Sequence, residues 1–161
     1  MTDSKYPIYL DYSATTPVDP RVAGKMIPWL TEHFGNPASR SHAYGWEAEE
    51  AVETARARVA DLVGADPQEI LFTSGGTEAD GLALQGAFEA YAGRGRHLVV
   101  GAVEHRPVRD TAQFLANRRG AEVTTVACDG VGRVAAEAVA AAVRDDTVLV
   151  AAAGQSEANI A

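Results

Sequence analysis

Glu69 to Leu84, EILFTSGGTEADGLAL, runs from a short apolar segment through glycines into the start of an amphipathic stretch. Ile70, Leu71 and Phe72 have the composition of a buried strand, Ser74-Gly75-Gly76 reads as a turn, and Thr77 opens a helix. Thr77 and Asp80 stand at the spacing of a capping box, with Asp in place of the usual Glu. A glycine turn feeding a helix start exposes free backbone N–H groups at the positive end of the helix dipole, which suits a phosphate. Neither common nucleotide motif is present: the chain has no G-x-x-x-x-G-K-[ST] and no G-x-G-x-x-G. A phosphate held here would belong to some other ligand. An ordinary strand–helix turn with no ligand has the same local pattern.

Working outward, strands and helices alternate. Trp46 to Val63 places Val52, Ala55, Val59, Leu62 and Val63 on one helical face and stops at Gly64. After the expected strand Ile70–Thr73, a helix is expected from Glu78 to about Ala92, ending at Gly93. His97 to Ala102 reads as strand, and Pro107 to about Arg118 as helix, with Pro in its first turn and Gly120 beyond its end. Glu122 to Ala127 reads as strand, Val134 to Val143 as an alanine-rich helix, and Thr147 to Ala153 as a last strand. This order implies an α/β fold with a mostly parallel sheet and helices on both faces. Ligands of such sheets lie at the carboxyl ends of the strands, where Gly75, Gly76 and His105 fall. The sheet reads as incomplete, because the last apolar strand has no helix after it to cover it. Tyr9 to Pro17 and Phe34 to His42 read as loops around one short helix near Arg21 to His33.

Composition excludes several functions. The 161 residues suffice for one domain, burying roughly two-thirds of its unfolded surface. Lys and Arg number 14 against 22 Asp and Glu, a net charge of −8, which argues against nucleic-acid and anionic-membrane partners. No apolar run approaches the ~20 residues of a membrane span, and MTDSKYPIYL is not a secretory signal. A cytoplasmic protein is the expectation. One cysteine, Cys128, makes neither an internal disulfide nor a metal cluster, so no metal is expected. Lysine occurs only at Lys5 and Lys25. Chemistry that needs a lysine must use one of these or borrow one from elsewhere.

Four stretches together are specific: IYLDYSATTPVDPRV (Ile8 to Val22), FGNPASRSHAYG (Phe34 to Gly45), FTSGGTEADGLAL (Phe72 to Leu84) and VEHRPVRDT (Val103 to Thr111). They resemble the N-terminal signatures of cysteine desulfurases of the iron–sulfur-assembly type, within the aminotransferase class V branch of fold type I pyridoxal-phosphate enzymes. The resemblance runs from about Tyr6 to Val150 and covers less than half of a typical member. It implies the N-terminal half of a pyridoxal-phosphate-dependent transferase large domain over residues 17–161, with 1–16 as a segment near the substrate pocket.

The resemblance also implies roles. Gly76 and Thr77 would hold the phosphate of pyridoxal 5′-phosphate through backbone N–H and the Thr hydroxyl. His105 would stack on the pyridine ring and take part in proton transfer; a capping histidine at a loop–helix junction is the alternative reading. Ala14 and Thr15 would lie near the amino-acid substrate. Asn36 and His42 match family loop positions but are expected to serve turn structure. The implied reaction removes sulfur from L-cysteine, giving L-alanine and a persulfide on a mobile-loop cysteine that passes sulfur to an acceptor protein.

Departures from the family pattern bear on this. The family's cofactor-bearing lysine, the Asp beneath the pyridine nitrogen, the carboxylate-binding Arg and the catalytic Cys all lie downstream of Ala161. Neither lysine falls at the family position, and Cys128 reads as structural or incidental. Residues 154–161, GQSEANIA, replace the family's Asn-Asn-Glu motif, leaving Asn159 without an assigned role, and Gly81 stands where Asn is common. The expected partner is therefore a second polypeptide supplying the C-terminal half with its Lys and Cys, assembled as a dimer of heterodimers, and the chain alone is expected to be inactive. A non-catalytic desulfurase-like regulatory or binding subunit is one alternative. A selenocysteine lyase or another class V enzyme is the other.

Overall fold

A computed structural model describes residues 8–12 and 14–152. The chain divides into two compact units, Met1–Phe72 and Thr73–Ala161.

The first unit carries helices α1 (Pro20–Thr31) and α2 (Ala43–Val63) and a single 3₁₀ turn at Pro67–Glu69. Asp19 caps α1 by accepting from the Arg21 N–H at 2.8 Å, and Pro20 takes the first helical position, where its missing N–H costs nothing. The capping group of α2 is His42, whose Nδ1 accepts from the Gly45 N–H at 3.2 Å. Asn36 Oδ1 accepts from the Ala38 N–H at 2.9 Å. Both residues thus serve local turns, as expected. Gly64, at φ 70°, ends α2 in the left-handed conformation that glycine tolerates best.

The second unit is the α/β part. It holds α3 (Gly76–Ala90), β1 (His97–Gly101), α4 (Arg106–Arg119), β2 (Glu122–Val126), α5 (Ala136–Ala142) and β3 (Thr147–Ala151). The strands form one parallel sheet in the order β2-β1-β3, with Val99 opposite Thr124 on one side and Val150 on the other. The connection from β1 to β2 runs one way along the sheet, and that from β2 to β3 runs back past β1. Right-handed crossovers in opposite directions put α4 and α5 on opposite faces. On the α4 face, Leu98 and Val100 of β1 meet Leu84 and Phe88 of α3 and Val108, Ala112 and Leu115 of α4. All five residues of β1 are buried, as a strand with neighbours on both sides requires.

One expected strand is missing. Ile70 is extended (φ −92°, ψ 121°), but Leu71 and Phe72 pair with no strand among the described residues. A strand exists only through a neighbour's ladder, and the ladders among the described residues join β1 with β2 and β3 alone. Apolar composition supplies the propensity for a strand and cannot supply the partner.

His97 joins the three strands at their amino ends. Its side chain is fully buried, with Nδ1 2.7 Å from Thr147 Oγ1 and Nε2 2.8 Å from Thr124 Oγ1. A neutral ring, with one donor and one acceptor nitrogen, satisfies both hydroxyls. Burial, then the nearby Arg144 guanidinium, holds its pKa below the ordinary histidine value, while Asp146 and Glu122 oppose them. The unfolded chain therefore takes up this proton first as pH falls. Stability from the neutral ring is complete above the ordinary value of about 6.5 and declines as pH drops below it toward the folded value. Urea midpoints from pH 8 to 5 are expected to fall below about pH 6.5, and to fall less in His97→Gln. Parallel profiles for the two proteins would remove His97 as the cause.

Candidate functional site

The glycine turn starts α3 differently from the expected capping box. Helix residues begin at Gly76, one residue before Thr77, and the cap residue is Gly75, which offers no side chain. The expected Thr77–Asp80 box does not form, because Thr77 is already the second helical residue. Glu78 supplies the stabilising contact instead. Its Oε2 accepts from the Ser74 N–H at 2.6 Å and from the Ser74 hydroxyl at 2.7 Å. Those two bonds hold the Glu78 carboxyl below its ordinary pKa, so the turn is tied by an ionised carboxylate. The Ser74-to-Glu78 spacing of four is the signal that a search for three-residue boxes passes over.

This arrangement leaves an open helix start. Ala79 N–H bonds to the Gly75 carbonyl, the first bond of the α3 ladder. The N–H groups of Gly76 and Thr77 precede it and have no acceptor within the helix. A Cβ built at Gly75 or at Gly76 meets nothing within 4 Å. Free amides, the dipole end and space for an oxyanion coincide there, so the residues present fit a phosphate group.

His105 follows β1 by four residues and is the cap residue of α4. Its imidazole is exposed and makes no capping bond; the backbone carbonyl does that work, accepting from the Val108 and Arg109 N–H groups. The capping alternative is therefore not what the side chain does. Glu104 before it is buried, and its carboxylate lies over Gly101, where an added Cβ would come within 2.9 Å of Oε1.

The starts of α3 and α4 face a common hollow. An open cavity of about 470 Å³ is lined by Thr77 and Gln85 of α3 and by Arg106, Pro107, Asp110, Thr111 and Phe114 of α4. Arg106 Nε pairs with Asp110 Oδ2 at 3.2 Å along the α4 surface. The structure thus brings Thr77 to the beginning of the helix that His105 caps. Gln85, Arg106 and Phe114 are hollow residues that reading the motifs alone missed; only the helix–helix packing brings them beside Thr77.

Ala14 and Thr15 belong to the other unit. Their N–H groups bond to the Asp11 carbonyl at 3.1 and 3.4 Å, closing a turn, and both are exposed. Lys25 lies on α1, beside an apolar hollow of about 580 Å³ formed with Val22, Met26, Trp29 and Leu30. No residue of α1 is buried. Lys5, Asn159 and the 154–161 segment lie outside the described residues. No helix among the described residues is long and apolar enough to cross a membrane.

Residues 8–159 match the family described as aminotransferase class-V. The chain is 58% identical over 146 residues to the cysteine desulfurase IscS of Neisseria meningitidis serogroup C (strain FAM18), covering 91% of this chain and 36% of that protein. Among solved structures, a NifS-like protein superposes with a TM-score of 0.78 at 38% identity, over 89% of this chain and 39% of that one. SspA in complex with cysteine gives 0.76 at 36% identity, over 88% and 40%. The chain spans little more than a third of the length of the relatives it matches.

Proposed function

The chain belongs to the aminotransferase class-V family, and from that premise we propose that it is the N-terminal part of a pyridoxal 5′-phosphate-dependent cysteine desulfurase, completed by polypeptide that carries the lysine and the sulfur-accepting cysteine. The observation that carries this reading is the open start of α3, side by side with the start of α4, whose cap is a histidine left free of capping bonds.

Gly76 and Thr77 hold the cofactor phosphate with their amides, and the Thr77 hydroxyl adds a further bond. Glu78 keeps the turn in shape, since its carboxylate is engaged with Ser74. His105 lies against the ring and holds or moves a proton at an imidazole nitrogen. Ala14 and Thr15, in the 1–16 segment, border the amino acid. When bound, the cofactor supplies the electron sink that lets the substrate's C–S bond break. L-Cysteine is the substrate this reading favours, given a structural relative captured with cysteine. The sulfur then passes to an acceptor protein for iron–sulfur or thio-cofactor assembly.

The need for completing polypeptide is supported from within the described units. Helix α1 buries none of its twelve residues, and a helix of that length is marginal in water without tertiary contacts. Its exposed Val22, Met26, Trp29 and Leu30 form the kind of face that another polypeptide covers. A dimer of heterodimers, each pair making one site, is the assembly proposed.

Thr77→Ala tests the phosphate assignment. In the assembled enzyme it is expected to weaken retention of pyridoxal 5′-phosphate about 10- to 100-fold, the worth of one hydrogen bond to a charged group, as read by equilibrium dialysis. Unchanged retention would overturn the assignment. A non-catalytic binding subunit is the second reading, motivated by lysine occurring only at Lys5 and Lys25. Restoration of desulfurase turnover to a lysine-bearing partner that is inactive alone would exclude it.

A further inference from the structure

We infer that a cavity between α4 and the carboxyl ends of β1 and β2 is a second small-molecule site, one that takes a short aliphatic carboxylate. It draws on no part of the cofactor reading above, so either can fail without the other.

The cavity measures about 270 Å³. Its walls are Val100 of β1, Val123 of β2 and Ala112 of α4, and its rim carries Arg109 and Gln113 of α4 with Thr125 of β2. Strand register explains the set: Val100 stands opposite Thr125 and Leu98 opposite Val123, so alternate residues of both strands face α4. Positions 109, 112 and 113 fall on a different side of an α-helix from 107, 110, 111 and 114, which line the hollow that holds Thr77. The two spaces are therefore separate flanks of one helix.

The rim is a set of unengaged donors. Arg109 is exposed, and its guanidinium makes no hydrogen bond or ion pair among the described residues. By contrast, Arg106 of the same helix is taken up by Asp110 and Arg119 by Glu89. The Thr125 hydroxyl also has no partner among the described residues. Gln113 gives one Nε2 hydrogen to Asn117 Oδ1 at 3.0 Å and keeps the other.

No acid lines this space. Asp110 is turned to the other flank, where it pairs with Arg106. Glu104 lies over Gly101, but Val100 faces α4, so position 101 faces away, and Glu104 sits on that side with Val134. A guanidinium with no carboxylate beside it attracts an anion, and a planar carboxylate accepts two of its N–H groups at once. An ammonium group would find no carboxylate in the cavity, which argues against a free amino acid. The volume falls just short of the ~300 Å³ at which ordinary ligand pockets begin, so the occupant is small. Sulfate or phosphate would leave the Val100, Ala112 and Val123 walls uncovered, whereas a short hydrocarbon tail covers them.

Titration of the full chain with butyrate, followed through its backbone amide NMR signals, tests this. Shifts at Ala102, Gln113 and Thr125 are expected to saturate together, with a Kd of roughly 1 mM or below. Acetate is expected to bind about tenfold more weakly, since each buried CH₂ is worth about fourfold. Butyramide keeps the shape and loses the charge, and should bind at least ~10-fold more weakly than butyrate. Arg109→Gln is expected to weaken butyrate binding at least ~10-fold with the urea midpoint unchanged, because Arg109 bonds to nothing in the fold. The ligand series is read on the wild-type chain and stands whatever that variant does. Sulfate binding as tightly as butyrate would overturn the carboxylate assignment. Absence of saturable shifts at these three amides, equal binding of butyramide, or unchanged binding in Arg109→Gln would each overturn the site.

Discussion

In the assembled enzyme, His105→Ala is expected to lower turnover about 10²- to 10⁴-fold, the range for loss of a positioned proton-transfer group. Cofactor affinity should fall by no more than about tenfold, the worth of one aromatic contact. The separation of the two effects comes from what the imidazole does in the structure. It is exposed at the head of α4 and makes no bond to the helix, so its removal costs the fold little. The carbonyl that caps α4 belongs to the backbone of residue 105 and survives the substitution. Turnover measured per bound cofactor checks this. Parallel loss of cofactor and turnover would make His105 a binding residue only, and unchanged turnover would remove it from the chemistry.

The largest expected effect on folding is that of Gly45→Ala. A Cβ at this position would lie 1.7 Å from the Ser39 carbonyl oxygen and 2.8 Å from its carbon. Those are backbone atoms, so no rotamer change relieves the clash, and either the 36–45 loop or the start of α2 has to move. Gly45 is buried, and its N–H is the one that His42 caps, so movement forfeits the cap as well. Overpacking of this kind costs about 3 kcal/mol or more, at the upper end of single substitutions. At the other end of the same motif, a Cβ built on Gly35 would run into the Tyr44 carbonyl oxygen. The glycines of FGNPASRSHAYG therefore mark two close backbone approaches within one loop. Gly24→Ala is the control, since a Cβ there meets nothing within 4 Å. Denaturant midpoints for the first unit should separate the two variants clearly, and equal midpoints would mean the loop is not closed as described.

How far the fold was legible varies with the range of the interaction involved. Helix ends were readable wherever a local group decides them: Gly64 and Gly120 end α2 and α4 at φ 70° and 72°, and Pro107 lies in the first turn of α4. The middle strand was readable from the apolar run at Leu98–Val100. The start of α3 was not placed correctly, because Ser74 and Glu78 compete with Thr77 and Asp80 for the same role and local spacing does not rank them. The His97 bridge was invisible in sequence; its two partners are 27 and 50 residues away.

By itself, the sequence determined the alternation of elements, the parallel sheet that alternation requires, and the glycine turn ahead of a helix, since each depends on residues within a few positions of one another. The resemblance of four short stretches was enough to point to the family. Only the tertiary structure decided that Ile70–Phe72 has no strand partner among the described residues, that Thr77 shares a hollow with the first turns of α4, and that His105 caps with its backbone and not with its ring. These outcomes turn on which strands find a ladder and which helices lie side by side. Such facts are set by packing across long stretches of chain, and local pattern carries no record of them.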